Sequence, residues 1–335
     1  MENEAGIVRW GIIGCGKVTE VKSGPAYQQT KGFELNAVMR RDSVKGNDYA
    51  KRHGVPRYFS DADTLIHTQD IDAIYIATPP DTHKKYGLLV AKAGKPCCIE
   101  KPMAPSYADS LALYEAFENK GVPLFIAYYR RSLPRFIQVK KWLDEGEIGT
   151  VIQVRWHLSK PASDLDRSGA YNWRTDAKIA PGGYFDDLAS HGIDLFMYLL
   201  GTIKTAQGYT ANRWGHYSAL DTVTACWMHE NGVMGTGSWS FGSHEHRDEV
   251  EIIGSKGVLR FSVFHERPLV LVNQNGKREL LVPNPDPIQK YHVENIQKHL
   301  LGSAVHPSLG ASGLQTSWVM DQILIGNRPL GSAVP

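Results

Sequence analysis

Short apolar runs alternate with amphipathic stretches through the first third of the chain. Residues 8–13, 33–39, 71–77, 96–99 and 123–127 read as strands, and residues 43–53, 82–93 and 108–120 as helices. Strand and helix in turn predict a parallel sheet wrapped on both faces by right-handed crossovers. From about residue 149 the pattern changes. Residues 151–157 alternate polar and apolar positions, and runs at 204–213, 222–229, 233–241, 249–254 and 258–263 read as strands of a largely antiparallel sheet. Asn231-Gly232 and Asn275-Gly276 mark hairpin turns, because both residue types tolerate positive φ. Helical stretches at 185–200, 288–301 and 309–325 remain to cover this sheet, so one face is expected to lie bare in a single chain and to need a second subunit.

The first strand ends in Gly14-Cys15-Gly16, and Lys17 and Val18 open what reads as a helix. A buried strand feeding a turn without bulky side chains leaves backbone N–H groups and the positive end of a helix available to a pyrophosphate. Gly14 lets the chain turn sharply, and Gly16 lets a phosphate approach where a Cβ would collide. The third small position of this fingerprint falls on Thr19, which is expected to loosen the packing of helix on strand without removing the anion site. A dinucleotide is the expected guest.

Ligands of such sheets lie beyond the carboxyl ends of the strands. Arg40, Arg41 and Asp42 follow the second strand. Guanidinium groups there suit the 2′-phosphate of NADP, whereas a carboxylate suits the ribose hydroxyls of NAD. The paired arginines favour NADP, and Asp42 as a ribose ligand would give NAD. Residues 71–77 lead into Thr78-Pro79-Pro80-Asp81-Thr82-His83, where two prolines force the chain out of the sheet beside the glycine turn. Asp81 reads as a helix cap, and His83 as a polar surface residue or part of the cofactor site. In Glu100-Lys101-Pro102, after the next strand, Lys101 reads either as a surface cation or as a charge aimed at the reacting centre.

Composition works mainly by exclusion. A chain of 335 residues exceeds what one hydrophobic core serves, so two domains are expected. The expectation is an α/β Rossmann, doubly wound parallel-sheet domain over residues 1–127. An α+β domain with a large, mainly antiparallel open sheet follows over 128–335, for substrate binding and oligomerisation. A net charge of +2 with 21% charged residues, and no basic block interleaved with aromatics, argues against a nucleic-acid partner. Cys15, Cys97, Cys98 and Cys226 lack the spacing of a disulfide frame or zinc site and read as small core residues in a reducing compartment. The first ten residues lack the pattern of a secretory signal, and no apolar run approaches membrane-spanning length, so a cytoplasmic location is expected.

Taken in order, GCGKV, ATPPDTH, IEKPM and GGYFDDLASHGIDLFMYLLG resemble the glucose-fructose oxidoreductase, inositol dehydrogenase and rhizopine catabolism family, Gfo/Idh/MocA, over nearly the whole chain. The resemblance implies that Lys101 lies at the nicotinamide and the substrate, and that Asp187 and His191 complete the catalytic group. Without it, Asp-x-x-x-His on an amphipathic helix reads as a stabilising ion pair. Cofactor contacts are expected from Gly14, Cys15, Gly16, Lys17, Val18, Arg40, Arg41, Thr78, Pro79, Pro80, His83, Glu100 and Lys101. Residues 128–134 resemble the segment leading out of the nucleotide domain, and Tyr171-Asn172-Trp173-Arg174 resembles a stretch placed over the substrate. Tyr128, Arg131, Trp173, Arg174, Asp187 and His191 are therefore the expected substrate contacts. Trp173 with Tyr171 would stack on a sugar ring, while Arg174 and Lys160 would bind hydroxyls or a carboxylate. The resemblance also implies pairing of the sheets into homodimers or homotetramers.

These residue types fit the chemistry. Oxidising an alcohol requires loss of the hydroxyl proton as the hydride departs, and histidine titrates near the operating pH, so His191 suits general-base work. Asp187 would orient the imidazole or bind substrate hydroxyls, and Lys101 would stabilise the developing alkoxide. No metal is called for, since nicotinamide accepts the hydride. Gly182-Gly183 would let the backbone come close to a ligand, and His244 with His246 reads as a polar loop without a third metal ligand. The expected activity is NADP-preferring hydride transfer with an alcohol or carbonyl of a sugar, polyol or related cyclic compound. Two rivals are an NAD-dependent glycoside hydrolase of the same superfamily and a non-catalytic cofactor-binding sensor.

Overall fold

The computed structural model describes residues 6–326, so residues 1–5 of the stretch read for a secretory signal, and 327–335 at the end of the expected second domain, lie outside it. Among the described residues, fourteen strands form two sheets. β1 (Val8–Ile13), β2 (Phe33–Met39), β3 (Arg57–Phe59), β4 (Ala73–Ile76), β5 (Cys97–Ile99) and β6 (Leu124–Ile126) run in the order β3-β2-β1-β4-β5-β6. All their pairings are parallel. Such strands are covered on both faces, which is why β4 is buried at every position and reads as a continuous apolar run. Ile74 and Ile76 enter a core cluster with Leu65, Val90 and Leu113 on one face. Ala73 and Tyr75 enter a second with Trp10, Tyr27 and Phe33 on the other. The direction of strand succession reverses between β1 and β4, where this topology opens a ligand crevice.

The first unit does not end where the sequence pattern places its boundary. Residues up to Leu133 are joined by Asn284–Leu314, which returns from far down the chain. Its helix Lys290–Leu300 buries Val293 and Ile296 in the cluster of Trp10 and Tyr27. A single division at residue 127 misses this, because an amphipathic helix carries no mark of which core receives it.

The second unit, Pro134–Pro283 with residues 315–326, holds the larger sheet. β7 (Val151–Lys160), β8 (Ile203–Ala211), β9 (Thr222–His229), β10 (Met234–Phe241), β11 (Arg247–Gly254), β12 (Gly257–Phe261), β13 (Leu269–Asn273) and β14 (Gly276–Leu280) run in the order β14-β13-β12-β11-β7-β10-β9-β8. Pairings are antiparallel except between β7 and β10. The helix Ser190–Leu200 lies on one face, and Gly192 takes the place where a Cβ would stand 2.2 Å from the Trp156 ring. Phe196 meets Trp156 edge-on and stacks on Trp227. The buried Trp156 indole donates to Asp248 at 2.9 Å. The opposite face carries Gln207, Tyr209, Thr224, Cys226 and Thr236 along an open trough. Cys226 is exposed there, against the expectation of four core cysteines, and Cys15, Cys97 and Cys98 are buried. No helix among the described residues is long and apolar enough to cross a membrane.

Candidate active site

The glycine turn has the geometry its residues call for. Gly14 takes φ +98°, a region that side chains with a Cβ rarely enter, and its N–H donates to the Met39 carbonyl at 2.9 Å. A Cβ there would stand 2.8–2.9 Å from Thr78, so the turn after β1 can lie this close to the loop after β4 because residue 14 is glycine. Open space lies over Gly16, with no atom within 4 Å of a Cβ position. Lys17 and Val18 occupy the first turn of the helix Lys17–Val21, where N–H groups lack intrahelical acceptors. A cavity of about 480 Å³ is lined by Gly14, Cys15, Gly16, Arg40, Arg41, Asp42, Lys45, Thr78 and Pro79. Bare backbone, a helix start and cations around one cavity fit a dinucleotide.

Several residues act differently from expectation. Thr19 does not loosen the packing: it is fully buried, its hydroxyl donates to the Gly16 carbonyl at 2.8 Å, and it accepts the Gly16 N–H at 3.1 Å. Arg40 reaches back and donates to the Cys15 carbonyl at 2.6 Å. Asp42 caps the helix Ser43–Arg52 through the Lys45 N–H at 3.1 Å and pairs with the Lys45 ammonium at 3.2 Å. His83 is fully buried, with its ring nitrogens 2.9 Å from the Thr78 carbonyl and 3.0 Å from that of Pro102. Its ring therefore joins two loops rather than facing a cofactor, and burial holds its pKa below the ordinary histidine value. Pro80 is buried in the short turn Pro80–Thr82.

Glu100 is also turned inward. One carboxylate oxygen accepts from the Tyr75 hydroxyl at 2.6 Å and the Gln289 amide at 3.0 Å, and the other accepts the Lys101 N–H at 3.2 Å. Lys101 itself is half-buried, at a cis peptide bond to Pro102. Tyr128 is buried in the core of the first unit. Arg131 is buried as well and donates to the Pro307 carbonyl at 3.0 Å. Of these two expected substrate contacts, Tyr128 is thus part of the core and Arg131 ties the chain before Leu133 to the returning segment.

In the second unit, the expected helix over 185–200 divides into a π-type turn, Phe185–Ala189, and the helix Ser190–Leu200. Asp187 on the turn accepts from Arg174 Nε at 2.7 Å, and the Arg174 guanidinium lies 4.2 Å from the Trp173 ring centre. His191, in the first turn of the helix, is 5% exposed and meets Phe264 edge-on. Tyr171 is largely exposed, and Lys160 lies over the Tyr184 ring. The close approach allowed by Gly182 is used by the protein itself: its N–H donates to Asp186 at 2.8 Å, where a Cβ would stand 2.4 Å from that carboxylate. Burial, with Asp321 and Asp187 nearby, pushes the Asp186 carboxyl up to about 7. Asp194 is buried and accepts from Thr316 at 3.2 Å. His246 faces His265, ring nitrogens 3.2 Å apart, rather than forming a pair with His244. Sequence reasoning missed Gln289 and Asp186, since the first has no local signal and the second is masked by its neighbour Asp187.

Residues 8–128 match the family described as "Oxidoreductase family, NAD-binding Rossmann fold", and residues 136–260 match "GFO/IDH/MocA C-terminal domain". Oxidoreductase P35 of Formosa agariphila is 35% identical over 94% of this chain and 97% of its own length. D-apiose dehydrogenase of Paraburkholderia graminis is 28% identical over 86% of this chain and 78% of its own. Among solved structures, a levoglucosan dehydrogenase in complex with NADH and levoglucosan superposes with a TM-score of 0.85. It is 23% identical over 95% of this chain and 96% of its own, which shows a common fold.

Proposed function

Since the chain belongs to the Gfo/Idh/MocA family of oxidoreductases, we propose that it transfers a hydride between a nicotinamide cofactor and an alcohol or carbonyl of a sugar, polyol or related cyclic compound. The observation that carries this reading is the glycine turn, with open backbone at Gly16, a helix start and cations around one cavity. Relatives such as the D-apiose dehydrogenase support a carbohydrate substrate. When bound, the nicotinamide accepts or supplies the hydride.

The chain's own residues supply the rest. Gly14 to Val18 hold the pyrophosphate, with Thr78 and Pro79 lining the same cavity. His191 takes the hydroxyl proton in oxidation and returns it in reduction. Lys101 stabilises the alkoxide with its ammonium. Asp187, paired with Arg174, receives substrate hydroxyls, and the Trp173 face with its stacked Arg174 forms the platform beside it. Arg40, Arg41 and Lys45 favour the 2′-phosphate of NADP, and Asp42 is engaged as a helix cap. The protein works as a homo-oligomer built through the open face of its large sheet, in a reducing compartment such as the cytoplasm.

A panel of sugars, polyols and dicarbonyls, monitored at the nicotinamide absorbance with NADP⁺, NADPH, NAD⁺ and NADH, tests the reading. Turnover of at least one carbohydrate is expected, with the lower KM for the NADP pair. No turnover on the panel sinks the function, and a lower KM for the NAD pair sinks the cofactor preference.

A further inference from the structure

We propose that Gln289 is a positioning residue for Lys101, acting through the Glu100 carboxylate. The inference rests on the reading of Lys101 as a catalytic group. Glu100 stands directly before that lysine, is 8% exposed, and takes its hydrogen bonds from three neutral donors: Tyr75, Gln289 and the Lys101 N–H. A desolvated carboxylate held by neutral groups depends on each of them, because no neighbouring cation among these partners offsets the loss of water.

The distribution of donors sets the orientation. Tyr75 and Gln289 both point at Oε1, which turns Oε2 toward the Lys101 N–H. Tyr75 comes from the middle of the parallel sheet and is fully buried. Gln289 precedes the helix Lys290–Leu300, whose Val293 and Ile296 are anchored in the core, so its backbone has a fixed origin. On the far side of the lysine, the His83 ring meets the Pro102 carbonyl at 3.0 Å. The peptide unit before Lys101 and the one after Pro102 are therefore both met by buried side chains.

Gln289 is 1% exposed, and its Oε1 is buried with no hydrogen-bond partner. A buried orphan acceptor lowers stability. An apolar side chain would fill the same space without that cost, so packing alone does not account for an amide. The donor on Glu100 does: reversing the amide would turn its oxygen toward the carboxylate.

Two substitutions test the proposal. Gln289→Leu removes the donor, and Gln289→Glu keeps the shape but sets a second carboxyl against Glu100. In protein without cofactor, hydrogen exchange at the Lys101 amide is expected to quicken at least tenfold in both, with the Ile76 and Ile99 amides unchanged. Turnover on the best substrate is expected to fall at least tenfold, with the cofactor KM within twofold and the thermal transition still cooperative. Unchanged exchange at Lys101, or a quickening shared equally by the Ile76 and Ile99 amides, would overturn the proposal. Wild-type protein inert on the whole carbohydrate panel would overturn the catalytic reading alone, since the exchange rates still decide whether Gln289 holds Lys101.

Discussion

Lys101 and Asp187 stand on supports of opposite kinds. Lys101 follows a three-residue strand of a fully covered parallel sheet; its N–H is held by the buried Glu100 carboxylate, and the carbonyl of the next residue, Pro102, meets the buried His83 ring. Asp187 stands on a π-type turn, and its carboxylate is met by a guanidinium whose side chain is 39% exposed. Directional bonds in a dry core fix a position. A half-exposed ion pair fixes a charge, is screened by salt, and yields readily to a competing ligand. On the roles proposed above, the difference suits a lysine that stands in one place and an aspartate that exchanges Arg174 for substrate hydroxyls.

Removing the fixed cation breaks the comparison at its strongest point. Lys101→Met is expected to lower kcat about 10³-fold, within the usual range for lost proton-transfer and charge-stabilising groups. The affinity for reduced nicotinamide, read by its fluorescence, should stay within a few-fold. Turnover within tenfold of wild type would leave Lys101 without a chemical role. His191→Asn should cost about 10²-fold in kcat, again with cofactor binding retained.

The ionic support is probed more gently. Arg174→Gln should lower kcat/KM about tenfold at low ionic strength, and the gap should narrow toward 1 M salt, where the Debye length falls to about 3 Å. A gap independent of salt would mean that Arg174 acts by shape, through its stacking on Trp173. The smallest effect concerns stability. The folded chain holds the Asp186 proton up to a pH of about 7, while the unfolded chain releases it near the ordinary aspartate value. The stabilisation is therefore complete at low pH and lost as pH rises through 7. Asp186→Asn should raise the melting temperature by about 2–4 °C at pH 8, as expected for ~1 kcal/mol in a protein of this size. The gain should vanish near pH 4, and an equal gain at both pH values would remove the titration argument.

The sequence carried the framework better than the contacts. β1 and β2 lie where their apolar runs place them, because strands covered on both faces end in buried apolar residues, Ile12 and Ile13 in β1 and Ala37 to Met39 in β2. β3 escaped notice: three half-buried residues, Arg57 to Phe59, leave no periodicity to read. Likewise β13 and β14 were signalled only by the Asn275-Gly276 turn between them. The conformation of the glycine turn was legible because backbone geometry there forces residue type. His83, Glu100, Tyr128 and Arg131 were not, because a polar residue beside a motif looks the same whether it faces a ligand or its own core. Their surroundings come from segments far along the chain, such as Pro307 for Arg131 and Gln289 for Glu100.

The return of Asn284–Leu314 to the first unit has a practical consequence for anyone who would express that unit by itself. A fragment stopped at Leu133 would carry every strand of the parallel sheet and every glycine of the turn. It would also leave Trp10 and Tyr27 uncovered where Val293 and Ile296 belong, with greasy surface facing solvent. Its fate would be aggregation rather than a working cofactor module. A splice joining 284–314 to the fragment through a flexible tether is the minimal piece worth cloning.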